Sequence, residues 1–261
     1  TLVAGGNDIT LDTSTNNFAT VVITSGRNVA LRDAGAIILG ASTVSGTYSV
    51  TAGGVVSDSG DLDIEGATTI LASGSNVVLD RATHDFTGAV GVTGTTVELV
   101  DANAIILGAS TVSGTYSVTA GGNITDDGAL VITGLTTLVA GTGIITLDHT
   151  SNDFQGGLII SSSGNVVLRD VGAIDLGAAT VSGTYSVTAG GAITDSGTQE
   201  ITGVTTLVAG GYDITLDTST NNFAAAVVIT SGRNVAITDE DAIDLGASTV
   251  SGTYAVTATA G

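Results

Sequence analysis

Apolar residues occur in short alternating bursts, not in helical stretches. Across residues 184–252 the bursts fall at 185–189, 193–194, 200–202, 207–209, 214–216, 222–224, 227–230, 235–237 and 242–245. Glycines and polar residues separate them. No stretch sustains an apolar period of 3.6, so helices are not expected. Nine short strands form three sets of three, and the sets resemble one another: 187–191, 207–211 and 229–233 align as strand plus turn. The pattern therefore predicts an all-β, right-handed parallel β-helix with three strands and about 23 residues per coil. Each strand would pair with its equivalents one coil above and below, about 4.8 Å away. The expected inward positions are Val50, Ala52, Leu207, Ala209, Ile214, Leu216, Ile243 and Leu245. Outward positions are largely Thr and Ser. The pair Gly53-Gly54 suits a corner that needs positive φ. A propeller blade needs about 40–50 residues in four antiparallel strands, which this unit does not match.

The coils group into a longer repeat. Tyr48, Tyr116, Tyr185 and Tyr254 are spaced 68, 69 and 69 residues apart, and Phe18, Phe86, Phe154 and Phe223 keep the same beat. Residues 1–261 thus read as a single solenoid array of 68–69-residue super-repeats. Residues 1–6 match 206–211 and no methionine opens the chain, so an internal fragment starting mid-repeat is expected. An enzyme gathers unlike residues at one place. A motif stated nearly four times predicts a spacer, a scaffold or a surface, and no catalysis.

Charge removes several classes of partner. The 261 residues carry 25 acidic groups against five arginines and no lysine, a formal net charge of −20. Nucleic-acid binding needs a basic face, and anionic membrane surfaces repel such a chain. No apolar run reaches the ~20 residues of a membrane span, so no membrane insertion is expected. Cysteine is absent, which removes any disulfide framework. The 43% apolar content argues for order from end to end.

One acidic residue recurs with the coils: Asp12, Asp33, Asp58, Asp80, Asp101, Asp126, Asp148, Asp170, Asp195, Asp217 and Asp239. Stacked coils would bring these carboxylates up one corner. Aspartate suits a strand-ending turn because it bonds its own backbone two residues on. A column of charges ~4.8 Å apart would also attract a cation, since each neighbouring pair repels by about 1 kcal/mol even in bulk water. Calcium takes about six to eight oxygens, more than one carboxylate per coil supplies. Turn residues are the expected role, with calcium as the possible cofactor and none otherwise.

The other chemistry is thin. His84 and His149 are the only histidines and are expected at surface corners. No zinc-type spacing and no GxSxG elbow occurs. The acidic groups at 61–63, 126–127 and 239–241 lack the aromatic companions of a sugar-cleaving site. The four phenylalanines are expected to fill a wide corner.

The segments 181–191, 201–210 and 214–223, with their copies, resemble the repeat region of large filamentous-haemagglutinin-like exoproteins of the two-partner-secretion type. That resemblance implies a β-helical rod at the bacterial cell surface or in the extracellular space, holding a distal domain away from the cell. The expected function is a structural stalk of a secreted adhesin or surface fibre. A filament subunit stacking end to end, or a cation- or glycan-binding surface module, are the alternatives. The expected partners are neighbouring repeats of the same chain and further copies of it, together with a host or cell-surface ligand that the sequence does not identify.

Overall fold

The alternating bursts become strands, and the pairings among the described residues are parallel, each strand meeting one about 20 residues further on. The structure, a computed structural model, describes residues 1–162 and 164–259. The chain forms two units, Thr1–Ile132 and Thr133–Gly261.

In the first unit the chain crosses back and forth between two sheets. One sheet takes Thr20–Gly26, Ile37–Val44, Val56–Asp58 with Leu62–Ile64, Val77–Leu79 with Asp85–Phe86, Val97–Asp101 and Tyr116–Ala120. The other takes Ile9–Leu11, Val29–Asp33, Tyr48–Ala52, Thr68–Leu71, Val90–Gly94, Ile105–Leu107 with Ser110–Val112, and Ile124–Asp126 with Leu130–Ile132. Val29 lies beside Tyr48, and Tyr48 beside Thr68, so one circuit through both sheets takes about 20 residues.

The second unit has the same plan. One of its sheets contains Leu158–Ser162, Ile174–Val181, Ile193–Asp195 with Gln199–Ile201, Ile214–Leu216 with Asn222–Phe223, Val235–Asp239 and Tyr254–Ala258. The other contains Ile145–Leu147, Val166–Asp170, Tyr185–Ala189, Thr205–Val208 and Val227–Ser231. Both units are parallel β-solenoids, and no helix forms among the described residues. Between them they take the chain through about 13 turns.

The expected coil of about 23 residues with three sides is corrected to about 20 residues and two sheets. Ile174–Val181 shows where the count went astray. Its first three residues pair with Ile193–Asp195 and its last three with Gln199–Ile201. Two bursts that look like two sides of a coil are halves of one interrupted side. A turn therefore carries two strands where both sides run unbroken and three where one is interrupted. From Val29 to Gly94 the chain makes seven sheet stretches, which is three and a half turns per repeat.

A half-integral period has a direct consequence. Equivalent residues of successive copies land on opposite sheets. In the first unit Tyr48 lies in one sheet and Tyr116 in the other; in the second, Tyr185 and Tyr254 are divided the same way. The alternation of small and large apolar positions is thus read by two different walls in turn, and both must tolerate it.

Inward side chains fill each solenoid. Tyr48, Tyr116, Tyr185, Phe86, Phe154 and Phe223 are buried, each flanked by buried Val, Ile and Leu. Burying one such aliphatic or Phe side chain contributes about 1.5–3 kcal/mol. The tyrosine hydroxyls at 48, 116 and 185 find no hydrogen-bond partner, and burial pushes their pKa far above the ordinary tyrosine range. Val50, Ala52, Leu207, Ala209, Ile214 and Leu216 are buried as expected. Leu245 is 43% exposed and Ile243 half-buried. A single bridge joins Leu245 to Val227, and no described strand covers its other side.

The corner glycines serve a different purpose from the one expected. Positive φ occurs at Gly5, Gly74, Gly141 and Gly210, not at Gly53 or Gly54. A Cβ on Gly53 would sit 2.3 Å from the Ala34 carbonyl oxygen of the preceding turn. At Gly66 it would meet the Gly46 carbonyl carbon and oxygen, both at 2.4 Å, and Gly88 stands in the same relation to Gly66. The glycines let successive corners touch backbone to backbone. Gly66→Ala is expected to destabilise the chain by at least the ~1–3 kcal/mol of an overpacked site. Gly6→Ala, which meets nothing within 4 Å, should stay within about 0.5 kcal/mol. Urea unfolding of the two variants checks this, and equal midpoints would refute the close-approach account.

Candidate functional site

The most elaborate local structure is a loop that interrupts one sheet side in each repeat. In the first unit, Val77 and Val78 pair with Val56 and Ser57, and the side resumes with Asp85 and Phe86 beside Asp63 and Ile64. Five residues, 80–84, stand above three, 59–61, so the surplus must leave the ladder. Three successive aspartates hold it, and each does a different job.

Asp58 lies beneath the loop with a side chain only 2% exposed. Its Oδ1 accepts the Asp80 N–H at 3.2 Å and lies 3.6 Å from His84 Nε2. Asp80 opens the loop and is exposed. Asp101, one turn further, is buried. Its two oxygens accept the N–H groups of Phe86 at 2.8 Å and Asn103 at 2.7 Å. Arg81 and Thr83 close the outside, both donating to Asp61 Oδ1, at 2.8 and 2.6 Å.

The second unit repeats the arrangement. Asp195 accepts from the N–H groups of Asp217 at 3.0 Å and Thr218 at 3.3 Å, and from Asn221 Nδ2 at 2.6 Å. Asp217 is exposed. Asp239 accepts from the N–H groups of Phe223 and Asp241, both at 2.8 Å. Asp170 holds Phe154 and Gly172 in the same way, and Asp33 holds Phe18 and Gly35. Burial raises the carboxyl pKa of Asp101 and Asp170, an effect partly offset by the N–H groups they accept.

The expected single column of carboxylates does not form in either unit. In the first, Asp12, Asp33 and Asp126 belong to one sheet side, and Asp58, Asp80 and Asp101 to the other. In the second, Asp148 and Asp170 lie on one side, and Asp195, Asp217 and Asp239 on the other. The half-turn period is the cause: after each run of three the series changes sides. Among the described residues, no three or more His, Asp or Glu side chains are grouped to hold a metal ion.

His84 is the second correction. It is fully buried, not at a surface corner. Its Nδ1 accepts the Leu62 N–H at 3.0 Å, which fixes the neutral tautomer with Nε2–H turned to Asp58. Phe86 lies beside it, ring centroids 5.6 Å apart. In the second unit Asn221 takes the same place, its Oδ1 accepting from Gln199 N–H and its Nδ2 donating to Asp195 at 2.6 Å, whereas His84 Nε2 faces Asp58 without a hydrogen bond. Histidine and asparagine both fit here because each offers an acceptor to the backbone N–H beneath it, and the shorter amide also reaches its aspartate. Burial holds the His84 pKa below its ordinary value against the pull of Asp58 and Asp61. His149 is half-buried, and its Nδ1 accepts the Ser151 N–H.

A second ladder was not anticipated. Arg27 donates from Nε and Nη2 to Asp8 at 2.8 and 2.9 Å, and Asn28 bonds the same carboxylate. Arg233, Asp213 and Asn234 repeat this in the second unit. The guanidinium and amide hold Asp8 down at about 2 and lower Asp213 likewise. The signal lay in the copies themselves: Asn76 and Ile144 replace the aspartate where Thr95 and Gly164 replace the arginine. Both pairs are exposed, so their contribution to stability is small.

A family model described as repeats of unknown function, DUF5649, matches residues 1–25, 26–93, 94–161, 163–230 and 232–261. The chain belongs to this family. The matched DUF5649 unit of 26–93 coincides with the seven-stretch repeat of the first solenoid, so the family's unit of sequence is three and a half turns of structure. No curated protein and no solved structure matches the chain.

Two outcomes follow for the clamps of the DUF5649 repeat. Asp239→Asn turns an amide NH2 toward a buried N–H donor and is expected to destabilise by about 1–3 kcal/mol. The exposed Asp217→Asn should stay within about 0.5 kcal/mol. Indistinguishable unfolding midpoints would mean that the aspartates do not differ in role. For His84 the native pKa lies below the unfolded value near 6.5, so between the two the unfolded chain binds a proton that the native one lacks. Its stabilisation is complete above pH 6.5 and lost progressively as pH falls through that window. Thermal melts of His84→Asn should lose this slope relative to the parent; parallel profiles from pH 7 to 5 would contradict the buried neutral state.

Proposed function

We propose that the chain is a stalk segment of a secreted or cell-surface bacterial adhesin or fibre, of the filamentous-haemagglutinin-like kind, whose task is mechanical reach. The winding is taken as right-handed, the sense that right-twisted strands favour in parallel crossovers. The observation that carries the reading is how the polar side chains are spent. Asp33, Asp101, Asp170 and Asp239 each accept two backbone N–H groups, and they do so alike in every copy. Chemistry that would serve catalysis is instead committed to holding one turn against the next. Repeated backbone ladders resist bending and extension because many parallel hydrogen bonds share the load.

Negative-stain electron microscopy of the purified chain in calcium and in chelator tests the proposal. Discrete rods of one length in both buffers are the expected result. Fibres that lengthen with protein concentration would replace the stalk reading with a filament subunit. Particles that lose their form only in chelator would make cation binding the function, since a ligand bound only by the native state stabilises it.

A further inference from the structure

Five arginines face 25 acidic groups in this chain. Arg27, Arg81 and Arg233 each bond a carboxylate at 2.8 Å. Arg32 and Arg169 form no ion pair among the described residues, although both are exposed and each is followed directly by an aspartate. Arg32 stands on the outer face of its strand while the neighbouring Asp33 points inward, its oxygens occupied by Phe18 and Gly35. Asp12, which follows the strand paired with Val29–Asp33, forms no ion pair with Arg32 either.

Arg32 lines a groove of about 350 Å³ on the first unit. The floor is an outward row across three turns, Arg32 beside Thr51 and Thr51 beside Leu71. Ser14, from the loop of one turn, and Ser73, from the corner of another, line it too, as does Asp33, whose carboxylate is already committed to the Phe18 and Gly35 N–H groups. The second unit carries the same row, Arg169 beside Thr188 and Thr188 beside Val208. The other two copies hold Val100 and Thr238 at the arginine position. The fold therefore does not need a cation there. At the Arg27–Asp8 position arginine and aspartate come and go together across the copies; here the arginine is present with no internal counterpart.

We propose that the Arg32 groove is a subsite for a single acidic sugar residue. A guanidinium matches a carboxylate with two parallel hydrogen bonds. The hydroxyls of Ser14, Thr51 and Ser73 suit sugar hydroxyls, and the exposed Leu71 side chain suits the apolar edge of a pyranose ring. The volume sits at the small end of ligand sites. The net charge of −20 repels polyanions, so the ligand carries one negative charge and not many. This site is independent of the stalk reading: a rod can carry it, and its absence would leave the rod intact.

The test is an NMR titration of the whole chain, following the five arginine Nε–H signals. Glucuronate, glucose, acetate and N-acetylglycine are the probes. Glucuronate is expected to move the Arg32 signal and to leave those of Arg27, Arg81 and Arg233 in place. Glucose should move none. The double variant Arg32→Val, Arg169→Val, which places at both positions the residue found at Val100, should weaken glucuronate binding by at least about tenfold with an unchanged melting temperature. No shift of the Arg32 signal at tens of millimolar glucuronate would overturn the proposal. Acetate or N-acetylglycine binding as tightly as glucuronate would overturn it too, because the site would then take any carboxylate.

Discussion

Each turn of these solenoids supplies the hydrogen-bonding partners of the next, and that requirement governs nearly every other feature. A strand in a parallel ladder must find its equivalent about 4.8 Å away along its whole length. Corners then close to the same spacing as strands, which leaves no room for a Cβ where carbonyls stack. Gly46, Gly66 and Gly88 answer that demand in one column. Where a turn carries surplus residues, as at 80–84, the ladder breaks and leaves N–H groups without strand partners. Buried unpaired N–H groups are costly, and the aspartates supply the missing acceptors. Asp101 and its counterparts are thus a consequence of the ladder, placed wherever it is interrupted.

The class of fold was legible because the period-2 bursts survive in every copy. Eight of the nine bursts between 185 and 245 lie on strands, and the pairing is parallel. The number of sides was not legible. The interruption after Asp195 is written in Ser and Gly, the same residues that write a true corner, and composition alone does not tell a kink within a side from a turn between sides. Only the pairing of Ile174–Val181 with both halves resolves it. His84 was misplaced for a related reason. A histidine in a polar loop reads as exposed, but this loop folds back over the sheet, and its inner position requires an acceptor for the backbone N–H beneath it. The Asn at the matching position of the other copies carried that signal, since a buried corner amide usually bonds backbone.

Internal repetition serves as a set of natural substitutions at constant fold. Arg27 and Asp8 change together, which marks a contact. Leu62 and Gln199 change beneath His84 and Asn221, yet their N–H groups keep the same partner. Gln199 buries an amide where the first unit buries leucine, and its Nε2 finds the carbonyls of Gly177 and Gly197 at 2.6 and 2.9 Å. The clamp thus depends on backbone donors and tolerates varied side chains around them. This explains how copies can drift in sequence without losing their turn spacing.

The half-turn period also limits the electrostatic strain of so acidic a chain. Eleven carboxylates on one corner would repel each neighbour by about 1 kcal/mol in bulk water and by several times that beside a low-dielectric wall. Because each repeat spans three and a half turns, the runs in each unit change sides after three residues. Within a run the middle aspartate, Asp80 or Asp217, is exposed and screened by solvent. The outer two have oxygens occupied by backbone N–H groups. A repeat of three or four whole turns would have stacked the same side chains on one face and lost this relief, so the odd number of stretches is itself a stabilising property of the repeat.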